Sequence, residues 1–391
     1  MSKIYLFNAD SDLALANNDA NYMSPISARQ LSRDLALLPI WYADSNSFVL
    51  ATSYPNIDYL NNLKLLFDLP TNIMTYSELE SVQNPELIPW GWNKSLRKEL
   101  SLLGIADEFL LSDIQLEEYR SLAHRSSAVK ILNSYPVDSK ICGRSFLLET
   151  ADEINNIKET SFLLKAPLSG SGKGLMWCNK GVDKPTINWI NRILKQQGSV
   201  VIEPIYDKAQ DLALEFYIHS NDRIEFIGYS LFDTTLSGAY MGNQMIEDQE
   251  IVNQLETKYA LHGVFEKVES KLSELLLSHY GKLYKGPLGV DMMICTFDSA
   301  PYYRLHPCVE VNARMNMGIV AHSFYERHVT SYSKGTYKID YYKNSRELMS
   351  KHKELEQTYP LQLTNNKIDS GYLSLVPVTS ESHYHCWVLI E

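Results

Sequence analysis

Three oxygen-bearing side chains late in the chain are spaced to hold a cation. They lie in Gly289-Val290-Asp291-Met292-Met293-Ile294 and in Cys308-Val309-Glu310-Val311-Asn312-Ala313-Arg314, β-rich runs flanking the turn-forming Asp298-Ser299-Ala300-Pro301. That arrangement predicts a hairpin. A turn centred near Ser299 and Ala300 sets Asp291 opposite the stretch from Cys308 to Glu310. Side chains alternate faces along a strand, so one register gathers Asp291, Glu310 and Asn312, with Arg314 beyond them. Two carboxylates and an amide oxygen form a hard, all-oxygen set suited to magnesium bound to phosphate oxygens. The plainer alternative is a solvent-facing acidic strand pair bridged to Arg314.

A second constellation precedes it. The strand-like Ser161-Phe162-Leu163-Leu164-Lys165-Ala166-Pro167 ends in a lysine and runs into Leu168-Ser169-Gly170-Ser171-Gly172-Lys173-Gly174. Closely spaced glycines let backbone N–H groups curl around an anion, and the serines add donors. A P-loop is excluded because Pro167 and Gly174 stand where that pattern needs glycine and Ser or Thr. A dinucleotide fingerprint fails at Leu175. Taken alone, the loop reads equally well as a surface hairpin.

The elements that must carry these residues follow from periodicity and punctuation. Residues 1–115 alternate short apolar runs with amphipathic stretches, which predicts a small α/β domain with a largely parallel, Rossmann-like sheet. Ser24-Pro25 marks a helix start, Ser77 with Glu80 suggests a capping box, and Gly104 a helix stop after Asn93 to Leu103. Residues 116–205 contain helices near 113–122 and 126–134, strands near 144–149 and 161–166, the glycine loop, and a helix from Thr186 to Gln197 stopped by Gly198. Residues 206–330 open with strands near 212–218 and 224–232, followed by one long amphipathic helix over about 250–280 and then the acidic hairpin. An extension, 331–391, ends in strand-like runs at 371–378 and 384–390.

Composition narrows the class. With 45% hydrophobic and 21% charged residues in 391, the chain reads as a multidomain globular protein. A net charge of −11 argues against nucleic acid as the partner. The 5 cysteines are odd in number and never in a CxxC pair, which fits a reducing cytoplasm better than a disulfide framework or a zinc site. No apolar run approaches the ~20 residues that span a bilayer, and the N-terminus reads as a first strand rather than a signal peptide. A cytoplasmic protein without membrane or nucleic-acid partners is expected.

The order of these pieces is distinctive: strand-Lys165-glycine loop, then Val201-Ile202-Glu203-Pro204-Ile205-Tyr206, then Asp211-Leu212-Ala213-Leu214, then Gly289-Val290-Asp291, then Glu310-Val311-Asn312-Ala313-Arg314. Over about residues 120–320 it resembles the ATP-grasp superfamily, preceded by a region similar to that superfamily's N-terminal domain. The resemblance implies an α/β fold with an α+β ATP-grasp core and a ligase using ATP and Mg2+, two ions by expectation, with Mn2+ as a substitute. Such a ligase joins a small-molecule carboxylate to an amine through an acyl-phosphate. A kinase on the same scaffold and a non-catalytic nucleotide-binding module are the alternatives, and a homodimer is left open.

By the same resemblance Lys165 and Lys130 would contact phosphates, and Ser169, Gly170, Ser171 and Gly172 would close over them. Glu203, Pro204 and Tyr206 would line the adenine edge, Asp211 would bind the ribose with Glu215 as competitor, and Met293 would floor the base. Asp291, Glu310 and Asn312 would hold the metal, while Arg314 and Lys173 would steady the transferred phosphoryl group. One departure stands out. Many ligases of this group have an arginine where this chain has Gly289. Arg29, Arg125, Arg223 and Arg304 are candidates to face an acceptor. The His383-Tyr384-His385-Cys386 run reads as a final strand rather than a metal site.

Overall fold

The structure is a computed structural model that describes residues 2–51, 53–157, 160–170, 174–235 and 240–391. It divides into two compact units: one comprises Met1–Leu116, Met241–Glu247 and Met317–Glu391, the other Glu117–Tyr240 and Asp248–Asn316.

The first unit opens with β1 (Ser2–Leu6), α1 (Ser11–Asn17), α2 (Ile26–Asp34), β2 (Phe48–Leu50), α3 (Tyr54–Leu63), β3 (Asn72–Met74), α4 (Tyr76–Leu79), β4 (Pro85–Pro89) and α5 (Lys94–Leu102). Its strands are parallel in the order β3-β2-β1-β4, as the strand–helix alternation implies. Ile4, Leu6, Leu50, Met74 and Leu87 pack against Leu96 and Leu100 of α5, the apolar stripe of an amphipathic helix. Asn93 caps α5 by accepting from the Leu96 N–H at 2.9 Å, and Gly104, at φ +88°, follows its end. The capping box falls two residues earlier than the expected Ser77/Glu80, on Thr75 and Glu78, because helix α4 starts at Tyr76.

α6 (Asp113–Ala123) leads into the second unit, followed by α7 (Ser126–Asn133), β5 (Phe146–Leu148), β6 (Phe162–Lys165), β7 (Leu175–Cys178), α8 (Lys184–Gln197) and β8 (Val200–Pro204). The small antiparallel sheet runs β5-β8-β6-β7. α8 backs it with Ile190 and Ile193 against Phe162, Leu164, Val200 and Ile202. Asp183 caps α8, and Gly198 ends it at φ +84°. Next come β9 (Asp207–Ser220) and β10 (Arg223–Thr234), then β11 (Tyr240–Met245), which falls to the first unit.

The chain continues with α9 (Asp248–Tyr259), α10 (Val264–Tyr280), β12 (Gly286–Thr296) and β13 (Tyr303–Asn312). In this unit β13, β12, β9 and β10 are antiparallel neighbours in that order. The single helix expected over 250–280 is two. Ala260 and Gly263 take positive φ, which α-helix cannot continue through, and the intervening Leu261 is fully buried.

The rest of the chain forms α11 (Met317–His328), β14 (Gly335–Tyr341), α12 (Ser345–Thr358), β15 (Gln362–Thr364), β16 (Lys367–Ser374) and β17 (Tyr384–Ile390). The order β11-β14-β17-β16-β15 is antiparallel throughout. This extension is built into the first unit. Trp41 packs edge-on against Phe324 and donates its indole N–H to the Leu375 carbonyl at 2.8 Å. Asp34 accepts the backbone N–H groups of His383 and Tyr384 at 2.8 and 2.9 Å. The strand holding His385 thus completes a core, and that imidazole is fully buried. No described helix is long and apolar enough to cross a membrane.

Candidate active site

The acidic hairpin forms with Asp291 directly opposite Glu310 and Gly289 opposite Asn312. A register shift between Asp291 and Met293 changes the pairing beyond that point. Asn312 donates its side-chain N–H to Asp291 Oδ2 at 3.2 Å, and its own Oδ1 accepts from Arg314 at 3.1 Å. Arg314 also donates to the Met315 carbonyl at 2.9 Å. Burial, reinforced by the like charge of Glu310, pushes the Asp291 carboxyl up to about 7. A carboxylate so raised near neutrality is one whose charge lacks a full counterweight. The set Asp291, Glu310 and the Asn312 oxygen therefore fits a hard divalent cation by donor chemistry. No cluster of three or more His, Cys, Asp or Glu side chains of metal-holding geometry occurs among the described residues, so phosphate oxygens and water would complete the coordination of any ion held there.

Positive charge reaches Glu310 from Arg125, the residue just before α7. One Nη donates to Glu310 Oε2 at 2.8 Å, while the other reaches the Ala166 carbonyl at 2.5 Å and Ser169 Oγ at 2.6 Å. Arg125 is buried, and its Nε has no partner among the described residues. One guanidinium thus joins the acidic hairpin to the base of the glycine loop. That base is shaped by Gly174, at φ +83°, where an added Cβ would come within 2.8 Å of Ser169 Cβ. Ser169 and Gly170 flank this base. Ser171, Gly172 and Lys173 lie outside the described residues.

Lys165 and Glu203 meet as a buried ion pair, Nζ to Oε2 at 2.5 Å. Adjacent strands β6 and β8 carry them, with Leu163 opposite Glu203 and Lys165 opposite Val201. Ser145 donates to the other oxygen of Glu203 at 3.3 Å. Cys308 lies on β13, two residues before Glu310, and is buried. Its thiol is pushed far up by burial and then by the charges of Asp291 and Glu203, with Lys165 opposing and Glu310 adding.

Tyr206 stacks edge-on with His306 at 5.6 Å between ring centroids, and Pro204 ends β8. Met293 pairs with His306 on one side and Asp211 on the other. Asp211 accepts from Thr234 at 2.6 Å and pairs with Lys208. Lys130, by contrast, is exposed on α7, while Arg125 at the head of that helix turns inward to the site. Sequence reasoning had Arg125 only as an acceptor-facing candidate, and no local signal separates it from Lys130.

One group went unnoticed in the sequence, and a second, Glu215, was named there only in another role. His306 is fully buried, and neither ring nitrogen has a partner among the described residues. Burial, then the charge of Lys165, holds its imidazole down near 3, so it is neutral. Glu215, named only as a ribose competitor, sits opposite Gly289 on β9 and is 1% exposed. Asn316 donates to it at 2.7 Å. Burial pushes the Glu215 carboxyl up to about 8, with the Asp291 charge adding to the rise. Glu215 and Asn316 close in on Gly289. A Cβ at position 289 would lie 2.4 Å from Asn316 Nδ2 and 2.5 Å from Glu215 Oε2. The room an arginine would need is filled by this pair.

No known family's sequence pattern matches the chain, and no curated protein matches it in sequence. Solved structures do match in shape. Biotin carboxylase from Campylobacter jejuni, solved as a β-γ-ATP complex, aligns over 100% of this chain and 87% of its own, with a TM-score of 0.53 at 11% identity. N5-carboxyaminoimidazole synthetase from Staphylococcus aureus aligns over 100% and 93%, with a TM-score of 0.49 at 11% identity. A putative ATP-grasp superfamily protein from Archaeoglobus fulgidus aligns over 87% and 93%, with a TM-score of 0.43 at 11% identity. The chain has the ATP-grasp fold.

Proposed function

We propose that this chain is an ATP- and Mg2+-dependent ligase that joins a carboxylate to an amine through an acyl-phosphate. The carrying observations are Asp291 standing opposite Glu310, the hydrogen bonds that tie Asn312 to Asp291 and Arg125 to both Glu310 and the base of the glycine loop, and the buried Lys165–Glu203 pair on the neighbouring small sheet. Asp291, Glu310 and Asn312 would hold the magnesium, which neutralises phosphate charge and orients the oxygens for in-line displacement.

The chain's own residues supply the rest. Lys165 and Arg125 meet phosphate charge, and the Ser169–Gly170 loop base offers donors beside them. Glu203, Pro204, Tyr206 and Met293 frame the base, and Asp211 the ribose. A substrate carboxylate oxygen attacks the γ-phosphorus, the bridging P–O bond to the β-phosphate breaks, and ADP departs. The neutral amine then attacks the acyl carbon, inorganic phosphate leaves, and the nitrogen gives up one proton. Arg314, hydrogen-bonded to Asn312 and so fixed beside the metal ligands, steadies charge on the phosphoryl group as it moves. A cytoplasmic setting and small-molecule substrates belong to the same reading.

The test is ADP release measured with panels of amino acids and small carboxylates, with Glu310→Gln as control. Substrate-dependent ADP release that vanishes in the variant supports the ligase; undiminished turnover in it removes the metal role from Glu310. A stable phosphorylated product formed without any amine would replace the ligase with a kinase.

A further inference from the structure

At the root of the glycine loop the chain leaves the small sheet, and its backbone groups lose their strand partners. The last ladder bond beyond β6 runs from the Ala166 N–H to the Gly174 carbonyl at 2.8 Å. Pro167 has no N–H to offer. Backbone groups that leave a ladder in a buried place still need partners, and two residues supply them. Arg125 is the first. Its backbone N–H donates to the Pro167 carbonyl at 3.0 Å, and its guanidinium reaches the Ala166 carbonyl and Ser169 Oγ.

Gln197, the last residue of α8, is the second. Its side-chain amide accepts from the Leu168 N–H at 2.7 Å and donates to the Leu168 carbonyl at 3.1 Å. A primary amide presents an acceptor and a donor side by side, so Gln197 pairs with Leu168 much as a residue of a neighbouring strand would. A carboxylate lacks the donor for this and a lysine the acceptor. His124, the residue before Arg125, hydrogen-bonds the Gln197 backbone, which ties the two anchors to each other. The packing of α8 rests on Ile190 and Ile193, so the helix does not need the amide for its place on the sheet.

Leu168 immediately precedes Ser169 and Gly170, the donors that the ligase reading sets beside phosphate. The Leu168 carbonyl and the Ser169 N–H belong to one rigid peptide plane. A partner that holds the carbonyl therefore fixes the direction of that N–H. We propose that Gln197 is a positioning residue for nucleotide binding: through its bonds to Leu168 it holds the Ser169 N–H in the direction that meets the outer phosphates of ATP. This inference deepens the ligase reading and rests on it.

Two substitutions separate this role from simple packing. Gln197→Ala removes both bonds. Gln197→Glu has almost the same shape and keeps the acceptor for the Leu168 N–H, but sets an oxygen against the Leu168 carbonyl. Calorimetric titration of the full chain with ATP and with AMP, in Mg2+, reads the effect. Each variant should weaken ATP about ten-fold and AMP less than about two-fold, because AMP lacks the outer phosphates. Gln196→Ala, at the exposed neighbouring position, should bind both as the parent does. Hydrogen exchange in peptides covering 166–170 should quicken in Gln197→Ala while β6 and β8 keep their protection. Unchanged ATP affinity in both variants, equal losses for ATP and AMP, or unaltered exchange at 166–170 would each overturn the role of Gln197. If the parent binds ATP and the variants bind it equally well, this inference falls and the ligase reading stands; a parent that takes up no ATP overturns both.

Discussion

Placing a methyl group at position 289 tests the account of why this chain has glycine there. In Gly289→Ala the new Cβ would sit 2.4 Å from Asn316 Nδ2 and 2.5 Å from Glu215 Oε2, where ordinary contact begins near 3.4 Å. Both atoms are side-chain ends, so moving them is sterically cheap. The loss is the 2.7 Å hydrogen bond between them. Glu215 is 1% exposed and no water can replace that donor readily, so leaving its carboxyl short of a partner costs about 1–3 kcal/mol. At about 2–4 °C per kcal/mol for a unit of this size, the melting temperature should fall by roughly 2–12 °C. Scanning calorimetry measures it. Gly289→Arg should fare far worse. In an Asn316→Ala background the clash partner is gone, and the alanine at 289 should cost markedly less than in the parent chain, a coupling that a double-mutant cycle reads directly. A Gly289→Ala protein that melts within 1 °C of the parent, or equal costs in both backgrounds, would refute the packing argument.

Other consequences are more briefly stated. The Asp291 and Glu215 carboxyls, raised to about 7 and about 8, hold protons that the unfolded chain surrenders near pH 4. Stability without metal should therefore decline as pH climbs from about 4 to about 8 and then level off. Mg2+ should raise the melting temperature more at pH 8 than at pH 6, which thermal melts at the two pH values check; equal shifts would contradict it. Arg125→Ala removes the buried partner of Glu310 and the contacts to Ala166 and Ser169; a loss of about 1–3 kcal/mol should show in melts without metal and shrink when Mg2+ is added. Asp34→Ala frees the backbone N–H groups of His383 and Tyr384. A cost of about 2–4 kcal/mol for two charge-assisted bonds should appear as faster proteolytic cleavage near 375–384, followed by mass spectrometry.

What was legible in the sequence is what rests on local pattern. The β12–β13 hairpin could be read because period-two apolar residues flank an unambiguous turn, and its register put Asp291 opposite Glu310 within the range the turn allowed. α8 was legible from its end because Gly198 adopts the positive φ that closes a helix. The α9–α10 break was not, since the apolar spacing runs straight through it and only the backbone of Ala260 and Gly263 interrupts the helix. The same division holds for the site. Lys165 and Glu203 carry the signal of a charged residue at a strand end or inside an apolar run. Nothing local says that they would face each other at 2.5 Å, because their partnership depends on β8 lying beside β6 rather than beside its sequence neighbour.

Arg125 and Lys130 show why side-chain direction decides function. Both are basic residues near one helix, five apart, so on a 3.6-residue helix they point to different sides. Only tertiary placement tells which side faces Glu310. The glycine at 289 is the clearest case of information held outside the strand that bears it. Its reason lies 74 residues earlier at Glu215 and 27 later at Asn316, side chains that converge on one backbone position. With the space beside Gly289 taken by a protonated carboxyl and an amide, positive charge near the proposed metal ligands must come from elsewhere. Arg125 and Arg314 are the described guanidinium groups hydrogen-bonded to those ligands. A chain with both replaced by glutamine should then keep the hairpin, which rests on backbone pairing, while losing the ADP release that the proposed ligase reaction predicts.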